Sequence, residues 1–433
     1  MTGTEFLYHI YIKHPIICTD TRNIVAGCLF FALKGENFDA NTFADKALAS
    51  GAAYVVIDNE AYKTGDRHLI VSDVLQALQG LAKHHRTQLN IPVIGLTGSN
   101  GKTTTKELIN AVLSEKYKSF ATKGNLNNHI GVPLSILSIT SETEIAVIEM
   151  GANHQREIEF LCDLAMPTHG LITNVGMAHL DGFGGFEGVK KGKAELYAYL
   201  KANQGTAFIY RNNPYLLEMS QAAGLDTILY YSTFTEDYIS GNLINADPHV
   251  QLSWSQGGKD YQVSVNLTGT YNFENILAAI CIGTFFNVSP KQINAGLSGY
   301  LPKNNRSQIT KTVTNTVICD FYNANPSSMS AALSNINQLV AQKKTIVIGD
   351  MFELGTEAEE QHRLIAKQAE ATNADLIIFV GKYFYGIKDE LQGLFFETPA
   401  EASKYLSENP VRGSLVLLKG SRGMALEQLL PLF

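Results

Sequence analysis

The chain has 433 residues, of which 45% are hydrophobic and 17% are charged, and its net charge is −7 at pH 7. This composition excludes a disordered chain, and the length predicts about three domains. The acidic balance argues against a nucleic-acid partner, which needs a basic face. The five scattered cysteines form no Cys-x-x-Cys pair and indicate buried, reduced thiols. Because no signal peptide or membrane-spanning apolar run is evident, we expect a cytoplasmic protein with no membrane span.

Residues 1–88 predict a small α/β domain at the start of the chain. Residues 29–33 and 53–57 are apolar and strand-like, and residues 43–50 between them have a helical pattern. The sequence therefore predicts an N-terminal unit in which strands alternate with helices.

The second predicted domain, residues 89–300, contains the most informative stretch of the chain. An apolar run at 92–96 leads into 97–104 (TGSNGKTT), and the apolar spacing of 106–113 is helical. A buried strand, a glycine-rich loop and a helix beginning near Thr104 are expected in that order. This order is typical of a phosphate-binding loop.

The residue types of this loop fit the binding of a nucleoside triphosphate. Gly98 and Gly101 allow backbone N–H groups to face an anion, Lys102 supplies a cation, and Thr103 supplies a hydroxyl for Mg²⁺. The general pattern has a glycine where this chain has Leu96, so the strict form is not met. The predicted ATP-binding residues of the loop are Thr97, Gly98, Ser99, Asn100, Gly101, Lys102, Thr103 and Thr104.

Further strands with helices between them predict a parallel sheet in the second domain and an open α/β sheet in the third, residues 301–433. The predicted strands are residues 145–150, 170–174, 206–210, 316–320, 345–350, 376–380 and 414–418, with a strand-rich stretch at 227–268 and a helix at 272–286. Ligands of such sheets bind beyond the carboxyl ends of the strands. Asp320, Asp350 and Lys419 stand at such ends.

Three features of the central domain have two readings each from the residues alone. Glu149 ends a strand and is either a Mg²⁺ ligand beside Thr103 or a solvated acid. His179 follows another strand and is either a metal ligand or a structural residue. The lysines at 190, 191 and 193 form either a phosphate-binding cluster or a solvated helix face.

Several motifs, in order and spacing, resemble the Mur ligase family, whose phosphate loop tolerates the missing glycine. The family motifs are the phosphate loop, 148–152 (IEMGA), 173–180 (TNVGMAHL) and 269–279 (GTYNFENILAA), and further agreement lies at 20–22, 125–134, 320–329, 348–355 and 418–423. The resemblance implies three domains: a UDP-substrate-binding domain (1–88), a central P-loop ATPase-type domain (89–300), and a Rossmann-like domain that closes on ATP and binds a dipeptide (301–433).

The later motifs are most similar to the branch of the family that joins D-alanyl-D-alanine to UDP-N-acetylmuramoyl-tripeptide. The resemblance implies an ATP-dependent ligase of peptidoglycan synthesis that forms an acyl phosphate, uses Mg²⁺ (two ions) and acts as a monomer. Two alternatives stay open. One is another amino acid ligase of this type, such as a tripeptide synthetase or a folyl-polyglutamate synthetase. The other is a P-loop switch protein, although no guanine-reading Asn-Lys-x-Asp occurs.

The resemblance also implies roles for individual residues. Lys102, Asn128, His179 and Lys193 would be catalytic, with Lys193 carbamylated because a carbamate attracts Mg²⁺ and an ammonium repels it. Lys191 is the competing candidate for the carbamate. The remaining implied assignments are Thr103, Glu149, His179 and Lys193 for metal; Asn272, Asn275, Arg306 and Asp320 for ATP; Thr21 and Arg22 for the UDP substrate; and Asn325 for the dipeptide.

Overall fold

The computed structural model describes residues 3–433, which form three α/β units, each with its own sheet. The N-terminal unit has a parallel sheet in the order β1-β2-β5-β6, and β3 and β4 form a separate hairpin. Its elements are α1 (Gly3–Lys13), β1 (Ile17–Cys18), β2 (Leu29–Phe31), β3 (Lys34–Gly35), β4 (Phe38–Asp39), α2 (Ala44–Ala49), β5 (Tyr54–Ile57), β6 (His68–Ile70) and α3 (Val74–Gln88). The predicted strand–helix–strand order is confirmed in β2, α2 and β5.

The central unit has a nine-stranded sheet in the order β15-β14-β13-β12-β11-β10-β7-β9-β8. Its strands are β7 (Val93–Thr97), β8 (Ser119–Ala121), β9 (Ile145–Glu149), β10 (His169–Ile172), β11 (Thr206–Tyr210), β12 (Thr227–Ser232), β13 (Ile239–Asn245), β14 (Val250–Gln256) and β15 (Lys259–Val265). Its helices are α4 (Lys102–Leu113), α5 (Gly131–Ile136), α6 (Glu157–Ala165), α7 (Leu180–Phe183), α8 (Phe186–Ala202), α9 (Pro214–Ala223), α10 (Asn272–Phe285) and α11 (Pro290–Gly299). The predicted parallel sheet is confirmed from β13 to β8, and the strand-rich stretch adds an antiparallel extension through β14 and β15.

The C-terminal unit has a six-stranded sheet in the order β16-β17-β21-β18-β19-β20, parallel except for β16. Its elements are β16 (Gln308–Lys311), β17 (Thr316–Asp320), α12 (Pro326–Gln338), β18 (Lys344–Gly349), α13 (Ala358–Glu370), β19 (Leu376–Val380), α14 (Lys382–Gly386), β20 (Leu394–Phe396), α15 (Pro399–Glu408) and β21 (Leu415–Lys419). The open α/β sheet predicted for this part of the chain is confirmed.

Strand β7 shows how the central unit is packed. Its side chains alternate between the two faces of the sheet. Val93 joins the core that contains Leu161 of α6, whereas Ile94 and Leu96 join the core that contains α4 and α10. Both faces of the strand are therefore buried, as expected for a parallel sheet covered by helices.

Three neighbouring strands of this sheet end together. In the order β10-β7-β9, Ile172 pairs with Thr97 and Leu96 pairs with Glu149. Because the strands are parallel, the loops that follow them leave the same edge, where ligands of open α/β sheets bind. The register of the sheet therefore sets the spacing of the residues described below.

Two further expectations can be compared with the described residues. All five cysteines are free and buried, as predicted. None of the helices in residues 3–433 has the length and apolar character that a membrane crossing requires.

Candidate functional site

The phosphate loop joins β7 directly to α4. Gly98 and Gly101 have φ angles of 146° and 76°, a region that favours glycine. A Cβ at Gly98 would lie 2.0 Å from Oγ1 of Thr173, so a larger residue does not fit there. The predicted helix start near Thr104 is two residues late, because the left-handed turn at Gly101 leads straight into the helix at Lys102.

The segment that follows β10 holds the loop in place. The backbone N–H of Asn100 donates to Oδ1 of Asn174 over 2.9 Å. The N–H of Ser99 donates to the Asn174 carbonyl over 3.0 Å. The hydroxyl of Thr173 donates to the Asn100 carbonyl over 2.6 Å. The loop shape is therefore fixed by the neighbouring strand as well as by its own glycines.

Lys102 is turned back over this loop. Its Nζ donates to the carbonyls of Gly98, over 2.7 Å, and Ser99, over 3.1 Å. Burial lowers the pKa of Lys102 to about 8, and the attraction of Glu149 partly opposes that shift. The ammonium already lies at the loop, where it would meet the phosphates of a nucleotide.

Glu149 is the acidic centre of the site and is only 1% exposed. The hydroxyl of Thr103 donates to both of its carboxylate oxygens, over 3.1 and 3.0 Å. The amide of Asn127 donates to Oε1 over 2.8 Å, and Nζ of Lys106 lies 3.4 Å from Oε2. The structure thus brings together the predicted pair of Thr103 and Glu149 and adds Asn127 and Lys106, which the sequence reasoning missed.

Asn128 lines the same cavity, and its side chain contacts the backbone of its own loop. Its Oδ1 accepts the backbone N–H of Gly131 over 2.8 Å, which turns the chain into α5. Asn127, one residue earlier, is the side chain that contacts Glu149. The asparagines at 125, 127 and 128 all line the cavity, and the sequence reasoning named only Asn128 among them.

Lys193 and Lys191 differ sharply in environment. Lys193 is 1% exposed, whereas Lys191 is exposed. The amine of Lys193 donates to the Ala152 carbonyl over 3.4 Å and lies 5.1 Å from the centre of the Phe183 ring. Burial, followed by repulsion from Lys102, holds the pKa of Lys193 well below its usual range. Burial therefore disfavours the charged form of the amine at this position.

His179 lines the cavity from the loop after β10 and has a left-handed backbone, with φ of 52°. Its Nδ1 contacts Oε2 of Glu353, which belongs to the C-terminal unit. Hydrogen bonding to His179 lowers the pKa of the Glu353 carboxyl. Sequence reasoning identified His179 but not its partner, although Glu353 lies within the motif at 348–355.

The two asparagines predicted to reach adenine are buried at the start of α10 and line the cavity. Asn272 donates to the Thr268 carbonyl over 2.7 Å, and Asn275 donates to Oδ1 of Asn272 over 3.0 Å. Oδ1 of Asn275 accepts the Thr105 hydroxyl over 3.0 Å and would lie 2.8 Å from a Cβ at Gly101. Asn275 therefore supports the phosphate loop from behind.

The C-terminal unit contributes a second wall to the cavity. Asp320, at the end of β17, accepts Nζ of Lys419 over 2.8 Å. The guanidinium of Arg306 lies 3.7 Å from the centre of the Tyr322 ring. Both predicted residues, Arg306 and Asp320, thus face the same cavity as the phosphate loop.

Asn325 connects the two walls. Its Oδ1 accepts the N–H of Ser328 over 2.9 Å and caps α12, while its Nδ2 donates to Oδ1 of Asn100 over 2.8 Å. Asp350, by contrast, is buried and accepts the N–H groups of Tyr383 and Phe384 at the start of α14, so its strand-end position serves the fold.

Thr21 and Arg22 lie in the N-terminal unit, in a short helical turn at Thr21–Asn23. The Arg22 side chain is 86% exposed and pairs with Asp20 over 2.6 Å. Neither residue is among those lining the main cavity. The two residues predicted to contact the UDP substrate therefore lie in the N-terminal unit, apart from the main cavity.

The main cavity encloses about 640 Å³ between the central and C-terminal units. In residues 3–433, no three His, Cys, Asp or Glu side chains cluster closely enough to hold a metal ion by themselves. Thr103 and Glu149 supply two oxygen donors, which fits Mg²⁺, an ion that takes one or two carboxylates together with substrate phosphates and water.

The three units, the phosphate loop and the buried glutamate together define the class of protein. Three domain models match the chain: "Mur ligase family, catalytic domain" over residues 14–86, "Mur ligase middle domain" over 96–283 and "Mur ligase, glutamate ligase domain" over 305–422. The chain belongs to the Mur ligase family.

Individual members of this family are similar to the chain over almost its whole length. The UDP-N-acetylmuramoyl-tripeptide–D-alanyl-D-alanine ligases of Bacillus subtilis and Escherichia coli are each 35% identical, over 95% of this chain and 92% of theirs. A crystal structure of MurF from Acinetobacter baumannii is 32% identical, with a TM-score of 0.87 over 96% of this chain and 92% of that one. MurF of Thermotoga maritima, solved in complex with ADP, is 26% identical, with a TM-score of 0.83 over 96% of each chain.

Proposed function

We propose that this protein is an ATP-dependent ligase that joins D-alanyl-D-alanine to UDP-N-acetylmuramoyl-tripeptide in peptidoglycan synthesis and releases ADP and phosphate. The observation that carries the proposal is the buried pair of Thr103 and Glu149 beside Lys102, in a cavity shared by two units. Support comes from the relatives of that name, which match 95% of the chain at 35% identity.

The reaction needs an activated acid, because an amine does not displace oxide from a carboxylate. The tripeptide carboxylate attacks the γ-phosphorus of ATP, which forms an acyl phosphate and expels ADP. The amine of D-alanyl-D-alanine then attacks the acyl carbon, and the tetrahedral intermediate collapses to the amide, phosphate and a proton. Catalysis of such steps depends on positioning and on neutralisation of charge.

The phosphate loop supplies most of the positioning. Residues 97–104 would surround the phosphates with backbone N–H groups, and α4 directs its positive end at them. Lys102 would leave the carbonyls of Gly98 and Ser99 to contact the β- and γ-phosphates. Arg306 would add a second cation from the opposite wall, and Asn128 would help place the reacting groups.

The residues present fit Mg²⁺ near the γ-phosphate. Thr103 and Glu149 would hold one ion, and His179 with a modified Lys193 would hold a second nearer the acyl phosphate. When bound, Mg²⁺ supplies neutralisation of phosphate charge. Lys106 is buried beside Glu149, and its ammonium balances the negative charge of this carboxylate.

Lys193 is proposed to be carbamylated. Burial disfavours the charged form of its amine. In the neutral form, the nitrogen would attack the carbon of CO₂ and lose a proton to give an anionic carbamate. The change replaces a potential cation with an anion beside Mg²⁺, so electrostatic repulsion becomes attraction.

The remaining assignments involve residues from all three units. Asp320 would bind the ribose hydroxyls of ATP, and Asn325 would meet the dipeptide. Asn272 and Asn275 would lie at the adenine, and Thr21 and Arg22 would contact the UDP substrate. In this proposal residues 1–88, 89–300 and 301–433 act as the UDP-substrate, ATP and dipeptide domains of a cytoplasmic monomer.

The test is phosphate release measured with ATP, UDP-N-acetylmuramoyl-tripeptide and D-alanyl-D-alanine, with each omitted in turn. We expect release to require all three, together with formation of the pentapeptide product. Release that does not depend on the dipeptide would refute the proposal, and turnover with ATP alone would favour a nucleotide switch.

A further inference from the structure

Two residues with left-handed backbones face each other across the boundary between the central and C-terminal units. His179 follows β10 with φ of 52°, and Glu353 follows β18 with φ of 62°. Positive φ is uncommon in residues other than glycine and is concentrated at functional sites. Both loops hold this conformation while Nδ1 of His179 contacts Oε2 of Glu353.

The contact lies within a larger surface where the two units meet. The N–H of Met177 donates to Oγ of Ser327 over 2.9 Å. A Cβ at Gly355 would lie 2.9 Å from Oδ1 of Asp181, so the two loops approach too closely for a larger residue. Glu353 therefore reaches His179 only while the C-terminal unit is docked on the central unit.

In a neutral histidine, a hydrogen bond donated by one ring nitrogen determines that the other nitrogen carries the free lone pair. A carboxylate that accepts the Nδ1 proton of a histidine fixes the tautomer and the ring orientation, and leaves Nε2 as the free lone pair. His179 lines the main cavity, whereas Glu353 does not. With Nδ1 turned to Glu353, Nε2 is the nitrogen left to the cavity.

We propose that Glu353 is a positioning residue for His179: when the C-terminal unit docks, its carboxylate holds the imidazole as the Nδ1–H tautomer with Nε2 presented to the reacting groups. The role of His179 in the reaction rests on the proposed function. The competing interpretation is an ordinary surface ion pair, because the Glu353 side chain is 55% exposed, and such pairs contribute little to stability.

The first experiment compares Glu353→Gln with Glu357→Gln, which removes an exposed carboxylate four residues along the same loop. We expect Glu353→Gln to lower kcat, and to raise the Mg²⁺ concentration for half-maximal activity, by roughly 10–100-fold, the usual effect of losing a carboxylate behind a ligating histidine. The KM for UDP-N-acetylmuramoyl-tripeptide and all parameters of Glu357→Gln should stay at wild-type values. Unchanged kcat and Mg²⁺ dependence in Glu353→Gln would overturn the proposal.

The second experiment does not depend on turnover or on the identity of the substrate. Nuclear magnetic resonance of protein labelled with ¹⁵N-histidine reports the tautomer of each imidazole, and a His179→Gln variant assigns the signal. We expect the Nδ1–H tautomer in the wild type and in Glu357→Gln, and a shift towards Nε2–H in Glu353→Leu, whose side chain has no acceptor for the Nδ1 proton. The same tautomer in all three proteins would refute the role of Glu353, whereas failure of dipeptide ligation in the wild type would refute only the proposed function.

Discussion

Lys193 and Lys191 lie two residues apart on α8, and one is buried while the other is exposed. The resemblance implied Lys193 as the modified lysine, with Lys191 as the competing candidate. Burial separates them, because desolvation disfavours the charged form of the buried amine of Lys193 and lowers its pKa. At the scale of single residues, the environment distinguishes two lysines that have the same side chain.

We predict that Lys193→Ala abolishes ligation, because it removes the amine that would carry the carbamate. Added bicarbonate should not restore the activity, and Lys191→Ala should remain close to the wild type. The measurement is dipeptide-dependent phosphate release at saturating substrates. Near-normal release by Lys193→Ala would contradict the assignment.

Glu274 is a second residue whose environment alters its chemistry. It lines the cavity and accepts Nδ2 of Asn174 over 3.1 Å. Burial raises the pKa of Glu274 from an ordinary value of 4.5 to about 7. The folded chain therefore keeps this proton to higher pH than the unfolded chain, and stability falls as pH rises between about 4.5 and 7.

We predict that Glu274→Gln removes this loss of stability and still accepts the bond from Asn174. The variant should lie within about 1 kcal/mol of the wild type at pH 5 and exceed it at pH 8 by roughly 3 kcal/mol, since each pKa unit corresponds to about 1.4 kcal/mol. Thermal unfolding at both pH values measures the difference. An equal gap between the two proteins at pH 5 and pH 8 would show that Glu274 ionises normally.

Among the elements of the fold, the shape of the phosphate loop depends strongly on two glycines. Gly98 combines φ of 146° with a close approach to Thr173, and Gly101 combines φ of 76° with a close approach to Asn275. Neither position has room for a Cβ. By contrast, Gly80 lies inside α3, where the nearest atom to an added Cβ is an ordinary 3.6 Å away.

Gly98→Ala should therefore lose nucleotide binding, because the loop must shift away from Thr173. The matched variant Gly80→Ala should bind normally and be stabilised by roughly 0.5–1 kcal/mol, as expected for alanine in a helix interior. Calorimetric titration with ATP and Mg²⁺ tests binding, and thermal unfolding tests the stability of both variants. Wild-type affinity in Gly98→Ala would mean that the loop is not rigid.

Local sequence patterns predicted the strands and the phosphate loop well, but they predicted the contacts between distant segments poorly. The strands and the loop at 97–104 were evident because hydrophobic periodicity and glycine positions are properties of neighbouring residues. The partners Lys106, Asn127 and Glu353 were missed because each contact depends on how distant segments meet. Only the folded backbone shows that Asn127 is the asparagine of its loop that contacts Glu149.

For the molecule as a whole, the main cavity has one wall on the central sheet and one on the C-terminal unit. The first wall is fixed by the register of β10, β7 and β9. The second is held by a few polar contacts, such as those of Asn100 with Asn325 and Met177 with Ser327. We expect the C-terminal unit to swing closed and open during turnover, because substrates must enter and products must leave between the walls.

A reversible cross-link tests this motion. A Cβ at Gly176 would lie 3.2 Å from Cβ of Ser327, close to the 3.5–4.5 Å typical of disulfides. We predict that Gly176→Cys with Ser327→Cys, once oxidised, stops multiple turnover and that a reductant restores it. The single-cysteine variants are the controls, and the native cysteines are buried. Full turnover by the oxidised protein would show that the units need not separate.

The dual use of Asn325 has a consequence for the ageing of the protein. Its oxygen caps α12 and its nitrogen bonds to Asn100, so conversion of the amide to a carboxylate would keep the cap and remove the second bond. Asparagine deamidates when the backbone nitrogen of the next residue attacks the side-chain carbonyl. The next residue here is Pro326, which has no N–H. Pro326 therefore protects the amide of Asn325 from this route of deamidation.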